Sequence, residues 1–161
     1  MTQLQNVPAD CRNAAVLLVS SNLDPLKGHT KALQLPATPL HKTKAPKKVL
    51  LVEDNLDSVQ TMLTLLRDIG HRAVFALNGQ DALEFAQRMR PDFILLDLGL
   101  PGLNGFEVCK RIKADPILKT TRVIAITAYA EEEYRNRSTA VGCEMHLVKP
   151  VSPQALEVLL G

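Results

Sequence analysis

The feature that most constrains the fold of this chain is a rhythm that starts at Lys47 and runs to the last residues. Short apolar runs of strand length alternate with longer segments whose apolar residues recur at helical spacing. Lys48-Val-Leu-Leu-Val-Glu53 is a continuous apolar run closed by an acid, the pattern of a parallel strand buried on both faces. Val59, Met62, Leu63, Leu66 and Ile69 then return every three or four positions, and Gly70 sits where a helix should stop. The same pair of signals predicts strands over 72–76, 92–97, 122–127 and 145–148, each followed by a helix, over 80–89, 104–114, 131–141 and 152–160. Parallel strands need crossover connections, and helices used as crossovers cover both faces of the sheet. Five βα units therefore predict an α/β doubly wound domain.

Residues 1–46 lack this rhythm. They hold five Lys/Arg against two Asp, whereas residues 47–161 hold fourteen against fifteen. With Pro8, Pro25, Pro36, Pro39 and Pro46 and no sustained amphipathic period, they read as a flexible arm ahead of a domain over 47–161. The one apolar patch in the arm, Ala14 to Val19, is expected to be linker, with docking on the domain as a short strand or helix as the alternative. Acidic Asp10 precedes it in place of a basic region, which argues against a secretory signal. No run approaches the length of a bilayer span, so membrane insertion is not expected. Cys11, Cys109 and Cys143 are odd in number and lack CxxC spacing. That argues against a disulfide framework or a zinc site and places the chain in reducing cytoplasm. A net charge of +2, no Trp and 4% aromatics give little support for a nucleic-acid surface.

In a doubly wound sheet, ligands bind beyond the carboxyl ends of the strands, near the point where strand order reverses. The predicted strands end in Glu53 and Asp54, in Asp97, in Thr127, and in Lys149 followed by Pro150. Three carboxylates brought together repel, so either their pKa values rise or a divalent cation neutralises them. Oxygen donors without His or Cys suit a hard ion, Mg²⁺ above others. Thr127 and Lys149 then look like donors for a phosphoryl group.

Val49-Leu-Leu-Val-Glu-Asp-Asn55, Ile94-Leu-Leu-Asp-Leu-Gly-Leu-Pro-Gly-Leu-Asn-Gly105, Ala125-Ile-Thr-Ala-Tyr-Ala130 and Val148-Lys-Pro150 together resemble the receiver domain of two-component response regulators, in order and at family spacing. The resemblance implies a flavodoxin-like fold, a five-stranded parallel sheet of order 2-1-3-4-5. It implies that Asp97 accepts a phosphoryl group from a phosphohistidine of a sensor histidine kinase or a histidine phosphotransfer protein. Asp54 would then bind Mg²⁺ directly, Glu53 through water, and Asp97 and the main-chain carbonyl of Gly99 would complete the ligands. Thr127 and Lys149 would hold phosphoryl oxygens, with Pro150 after a cis bond that aims the ammonium inward. Gly99 and Tyr129, two residues after Asp97 and Thr127, would tune the lifetime of the phosphate, which a tyrosine ring can shield. In the family an aromatic residue usually stands three positions before the site lysine and turns inward as the threonine moves. Here that position is His146, a smaller ring whose charge can change near neutral pH.

Such a protein is expected to be a self-modifying switch rather than an enzyme with an external substrate. Met1 and the basic arm favour a stand-alone receiver acting on a downstream protein target, and the alternative is the receiver part of a hybrid histidine kinase or of a longer regulator. A phosphatase of the aspartyl-phosphate type commonly has a second Asp two residues after the nucleophile, and that position is Gly99. A degenerate receiver would lack an acid, the Thr or the Lys, and all are present. The charged stretch Glu131–Arg137 is expected to be a solvated face, with half of a homodimer interface as the alternative.

Overall fold

The structure, a computed structural model, describes residues 45–161, so Cys11 and the Ala14 to Val19 patch lie outside the described residues. Five strands and five helices alternate: β1 (Lys48–Val52), α1 (Leu56–Asp68), β2 (Arg72–Ala76), α2 (Gly79–Met89), β3 (Phe93–Asp97), α3 (Gly105–Ala114), β4 (Arg122–Thr127), α4 (Glu132–Ala140), β5 (Met145–Val148) and α5 (Pro153–Leu160). The strands form one parallel sheet of order β2-β1-β3-β4-β5.

Because successive strand side chains point to opposite faces, each central strand feeds two cores. Leu50, Val52, Ile94, Leu96, Val123 and Ala125 point to one face, where Ala82 and Ala86 of α2 and Phe106, Val108 and Ile112 of α3 cover them. Val49, Leu51, Phe93, Leu95, Ile124 and Ile126 point to the other, against Val59 and Leu66 of α1 and Leu156, Leu159 and Leu160 of α5. Central strands buried on both faces are the reason their sequences read as continuous apolar runs rather than as alternation.

The expected elements are all present, and their bounds move for identifiable reasons. Asn104 and Ser152, placed inside helices by periodicity, are N-caps instead: their side chains accept from the backbone N–H of Glu107 and Ala155. Asn55 and Asn78 cap α1 and α2 in the same way. Gly70 and Gly142 adopt positive φ (88° and 102°) just beyond α1 and α4. At each, paired bonds close the last turn, Gly70 N to Arg67 O with His71 N to Leu66 O, and Gly142 N to Thr139 O with Cys143 N to Ser138 O.

Candidate functional site

Register decides which strand ends meet. Val52 lies opposite Leu96, Asp97 opposite Ile126, and Thr127 opposite Val148. Glu53 leaves β1 beside Asp97 at the end of β3, and Lys149 leaves β5 beside Thr127 at the end of β4. The meeting point lies where the order reverses from β1 to β3, the place a doubly wound sheet reserves for ligands.

Lys149 sits between two carboxylates, its Nζ 2.5 Å from Glu53 Oε2 and 2.6 Å from Asp97 Oδ2. Glu53 is 5% exposed and Asp97 9%, so the ammonium neutralises two charges that have largely lost water. Burial works to lower the Lys149 pKa, but the hydrogen bonds and charges of Asp97 and Glu53 outweigh it and hold the ammonium above its ordinary value. The second Asp97 oxygen, Oδ1, accepts the Gly99 N–H at 2.8 Å. The Asn55 N–H donates to Glu53 Oε1 at 3.4 Å. Exposed Asp54 completes an acidic cluster: Glu53, Asp54 and Asp97 each offer one oxygen, and the three lie within 4.8 Å of one another. Three oxygen donors with no His or Cys fit a hard divalent cation such as Mg²⁺.

Thr127 is buried, and its Oγ1 accepts the Tyr129 N–H at 3.1 Å, so the hydroxyl hydrogen stays available to a ligand oxygen. The Lys149 N–H bonds the Thr127 carbonyl at 2.8 Å, and the Lys149–Pro150 peptide is cis. A cleft of about 490 Å³ opens beside these groups, lined by Asp57, Ser58, Met62, Asp97, Lys149 and Val151 among others, between α1 and the connection from β5 to α5.

A model of the response regulator receiver domain matches residues 49–160. The chain belongs to the response regulator receiver family. The receiver is 38% identical over 115 residues to the polar-differentiation response regulator DivK of Brucella anthropi, an alignment covering 71% of this chain and 94% of that protein. Among solved structures it is similar to the chemotaxis protein CheY4 of Vibrio cholerae (34% identity, TM-score 0.68, 72% of this chain and 97% of that one). It is also similar to the receiver domain of the sensor histidine kinase PA1611 of Pseudomonas aeruginosa, whose structure has a magnesium ion coordinated in the active site cleft (33% identity, TM-score 0.67, 72% and 95% coverage). The fold is thus the flavodoxin-like one of two-component signalling, and the chain is a receiver of that system.

The structure brings Glu53, Asp54, Asp97 and Lys149 into one cluster, and the backbone of Gly99 touches it through Asp97. Tyr129 stands slightly apart. The residue is 46% exposed, and its ring stacks on Tyr134 of α4, centroids 4.5 Å apart and planes 11° from parallel. His146 is half-buried, with Nε2 3.1 Å from the Tyr129 carbonyl and Nδ1 3.2 Å from Ser138 Oγ. A carbonyl only accepts, so Nε2 carries the hydrogen of that contact. The ring thereby ties β5 to the β4–α4 connection and to α4. Sequence reasoning missed Ser138 and Tyr134, the inward-facing residues of α4. The surrounding Glu131-Glu-Glu and Arg135-Asn-Arg are exposed and obscure any helical period, and Tyr134, the one aromatic residue in that charged stretch, was the local signal.

Proposed function

We propose that the receiver takes a phosphoryl group onto Asp97 from the phosphohistidine of a partner kinase or phosphotransfer protein, and that it works as a switch without turnover of an external substrate. The observation that carries this reading is the position of Lys149, bonded at once to Asp97 and Glu53. A lysine already held within 2.6 Å of the accepting carboxylate needs only a short move to bond an oxygen of a group attached there. An Asp97 oxygen attacks phosphorus in line, the P–O bond forms as the P–N bond breaks, and the electron pair stays on the departing imidazole, which takes a proton from solvent. Thr127 donates its hydroxyl hydrogen to one phosphoryl oxygen and the Lys149 ammonium bonds another. Glu53, Asp54, Asp97 and the Gly99 carbonyl would hold Mg²⁺, which when bound neutralises charge on the phosphoryl oxygens.

Gly99 and Tyr129 flank the approach of water and set how long the phosphate lasts. Glycine offers no side chain to orient a water, and Tyr129 shields once its ring leaves Tyr134. His146 acts as the switching ring, its bond to the Tyr129 carbonyl exchanged when Thr127 moves toward phosphate. Output then passes by protein contact to a downstream target, either from a stand-alone receiver or from the receiver part of a longer protein, in the cytoplasm. The four matched motifs together favour this over an aspartyl-phosphate phosphatase.

The test is incubation of the full chain with Mg²⁺ and acetyl phosphate, followed by intact-mass measurement. A gain of about 80 Da that is absent in Asp97→Asn and abolished by EDTA is expected. Labelling that survives in Asp97→Asn would sink the assignment, labelling indifferent to EDTA would sink the metal, and steady phosphate release from unrelated phosphoesters would favour the phosphatase.

A further inference from the structure

Two thiols far from the phosphoryl site are in contact. Cys109 lies on the buried face of α3, and Cys143, 34 positions later, is the second residue beyond Val141, the C-cap of α4. The turn at Gly142 bends the chain back over the end of α4, and the Cys143 N–H then bonds the Ser138 carbonyl. That turn points the Cys143 side chain into the cluster that contains Cys109, Val108, Ile112 and Val123. The two sulfur atoms end 3.2 Å apart, with Cys109 fully buried and Cys143 5% exposed. The Cys109 thiol also lies 3.5 Å from the Val141 carbonyl. A disulfide bond is about 2.0 Å long, so the sulfurs need to close little more than an ångström.

We propose that Cys109 and Cys143 form a redox site, oxidised by a hydroperoxide to an intramolecular disulfide that staples α3 to the segment following α4. The Cys143 thiol donates to the Cys109 sulfur, and this hydrogen bond, aided by the charge of Lys113, lowers the Cys109 pKa against the opposing effect of burial. The same hydrogen bond and burial raise that of Cys143. Either sulfur serves as the nucleophile with the other as the resolving thiol, since the two are in direct contact. Lys113 is anchored over the site, its Nζ donating to the Thr121 carbonyl at 2.8 Å and its Cγ lying only 2.9 Å from where a Cβ on Gly142 would stand.

In the first step one sulfur of the pair attacks one peroxide oxygen. The O–O bond breaks, the sulfur gains that oxygen as a sulfenic acid, and the departing oxygen takes the thiol proton and leaves as water, or as an alcohol from an organic peroxide. In the second, the other sulfur attacks the oxidised one, the S–O bond breaks, and the oxygen leaves as water with the proton of the second thiol. Two thiols lose two electrons and the peroxide gains them.

The experiment uses the full chain carrying Cys11→Ser, so that these are the two cysteines present, treated with hydrogen peroxide in native buffer and quenched with catalase. The expected product has lost about 2 Da, takes up no iodoacetamide after unfolding, yields one Cys109–Cys143 crosslinked peptide and is restored by dithiothreitol. With Cys109→Ser or Cys143→Ser added, the 2 Da loss disappears and a sulfenic acid on the remaining cysteine of the pair is trapped by dimedone. Two alkylatable thiols after peroxide, crosslinks only between chains, or a disulfide that forms only in denaturant would each overturn the proposal.

Discussion

Lys149 answers to two demands at once. In the resting arrangement it neutralises Glu53 and Asp97, and under the proposed function it bonds a phosphoryl oxygen once Asp97 is modified. Replacing it by Met should slow labelling by acetyl phosphate at least about tenfold, the equivalent of one charge-assisted hydrogen bond of roughly 1.5 kcal/mol or more. The same variant should bind Mg²⁺ more tightly by calorimetry, because the ammonium no longer competes for the two carboxylates. Weaker Mg²⁺ binding would show that the lysine organises the acids rather than screens them. The raised pKa also fixes a pH dependence. A lysine whose folded pKa exceeds its ordinary 10.5 stabilises the fold fully below that value and loses the contribution as pH rises through the folded one. The stability difference between the receiver and Lys149→Met in urea melts should therefore be flat from neutral pH to about pH 10 and shrink above it. The lysine itself was legible, since Val-Lys-Pro closes a strand at the right end of the sheet. Its bond to Glu53, 96 positions away, was not, because only the register of β1, β3, β4 and β5 sets that distance.

At the scale of elements, the site depends on how closely α3 approaches the end of β3. Gly105 opens α3, and a Cβ there would lie 2.3 Å from the Asp97 carbonyl oxygen and 2.7 Å from Leu98 Cα. Both contacts are backbone, so neither can rotate aside. Gly105→Ala should cost about 1–3 kcal/mol, seen as a melting temperature lower by several degrees. Because the clash is with Asp97 itself, labelling should slow as well. An unchanged melt would mean that the loop from Leu98 to Asn104 can shift to admit a methyl group. Elements with strong periods, such as α1, and continuous apolar strands such as β3 were readable from sequence because burial dictates their residues. The inner face of α4 was not, since two residues, Tyr134 and Ser138, carry its packing and its N-cap Glu131 makes no side-chain cap bond. The thiol pair was hidden for a related reason. Spacing in the chain reveals local metal or redox motifs, whereas Cys109 and Cys143 meet through the turn at Gly142.

At the scale of the molecule, the question is where the folding unit begins. Both apolar faces of the sheet are covered by helices drawn from Leu56–Leu160, and the two core clusters draw on no described residue before Val49. The backbone of Lys47 is nonetheless engaged, its carbonyl accepting the Arg72 N–H at 2.9 Å and its N–H donating to His71 Nδ1 at 3.3 Å. A boundary drawn at 46/47 would put a new charged terminus on that second bond, beside a buried imidazole whose pKa burial and the Lys47 charge already lower. A cut before Ala45, which is exposed like Pro46 in the approach to β1, is the better one. Removing residues 1–44 should leave the melting temperature within about 2 °C, since a change of 1 kcal/mol moves a domain of this size by roughly 3–6 °C. Acetyl phosphate labelling should also be unchanged, because every group of the cluster comes from residues 53–149. A fall of about 5 °C or more, restored by the full chain but not by one carrying Leu17→Asp and Leu18→Asp, would show instead that Ala14 to Val19 packs on the domain and that the folding unit is the whole chain.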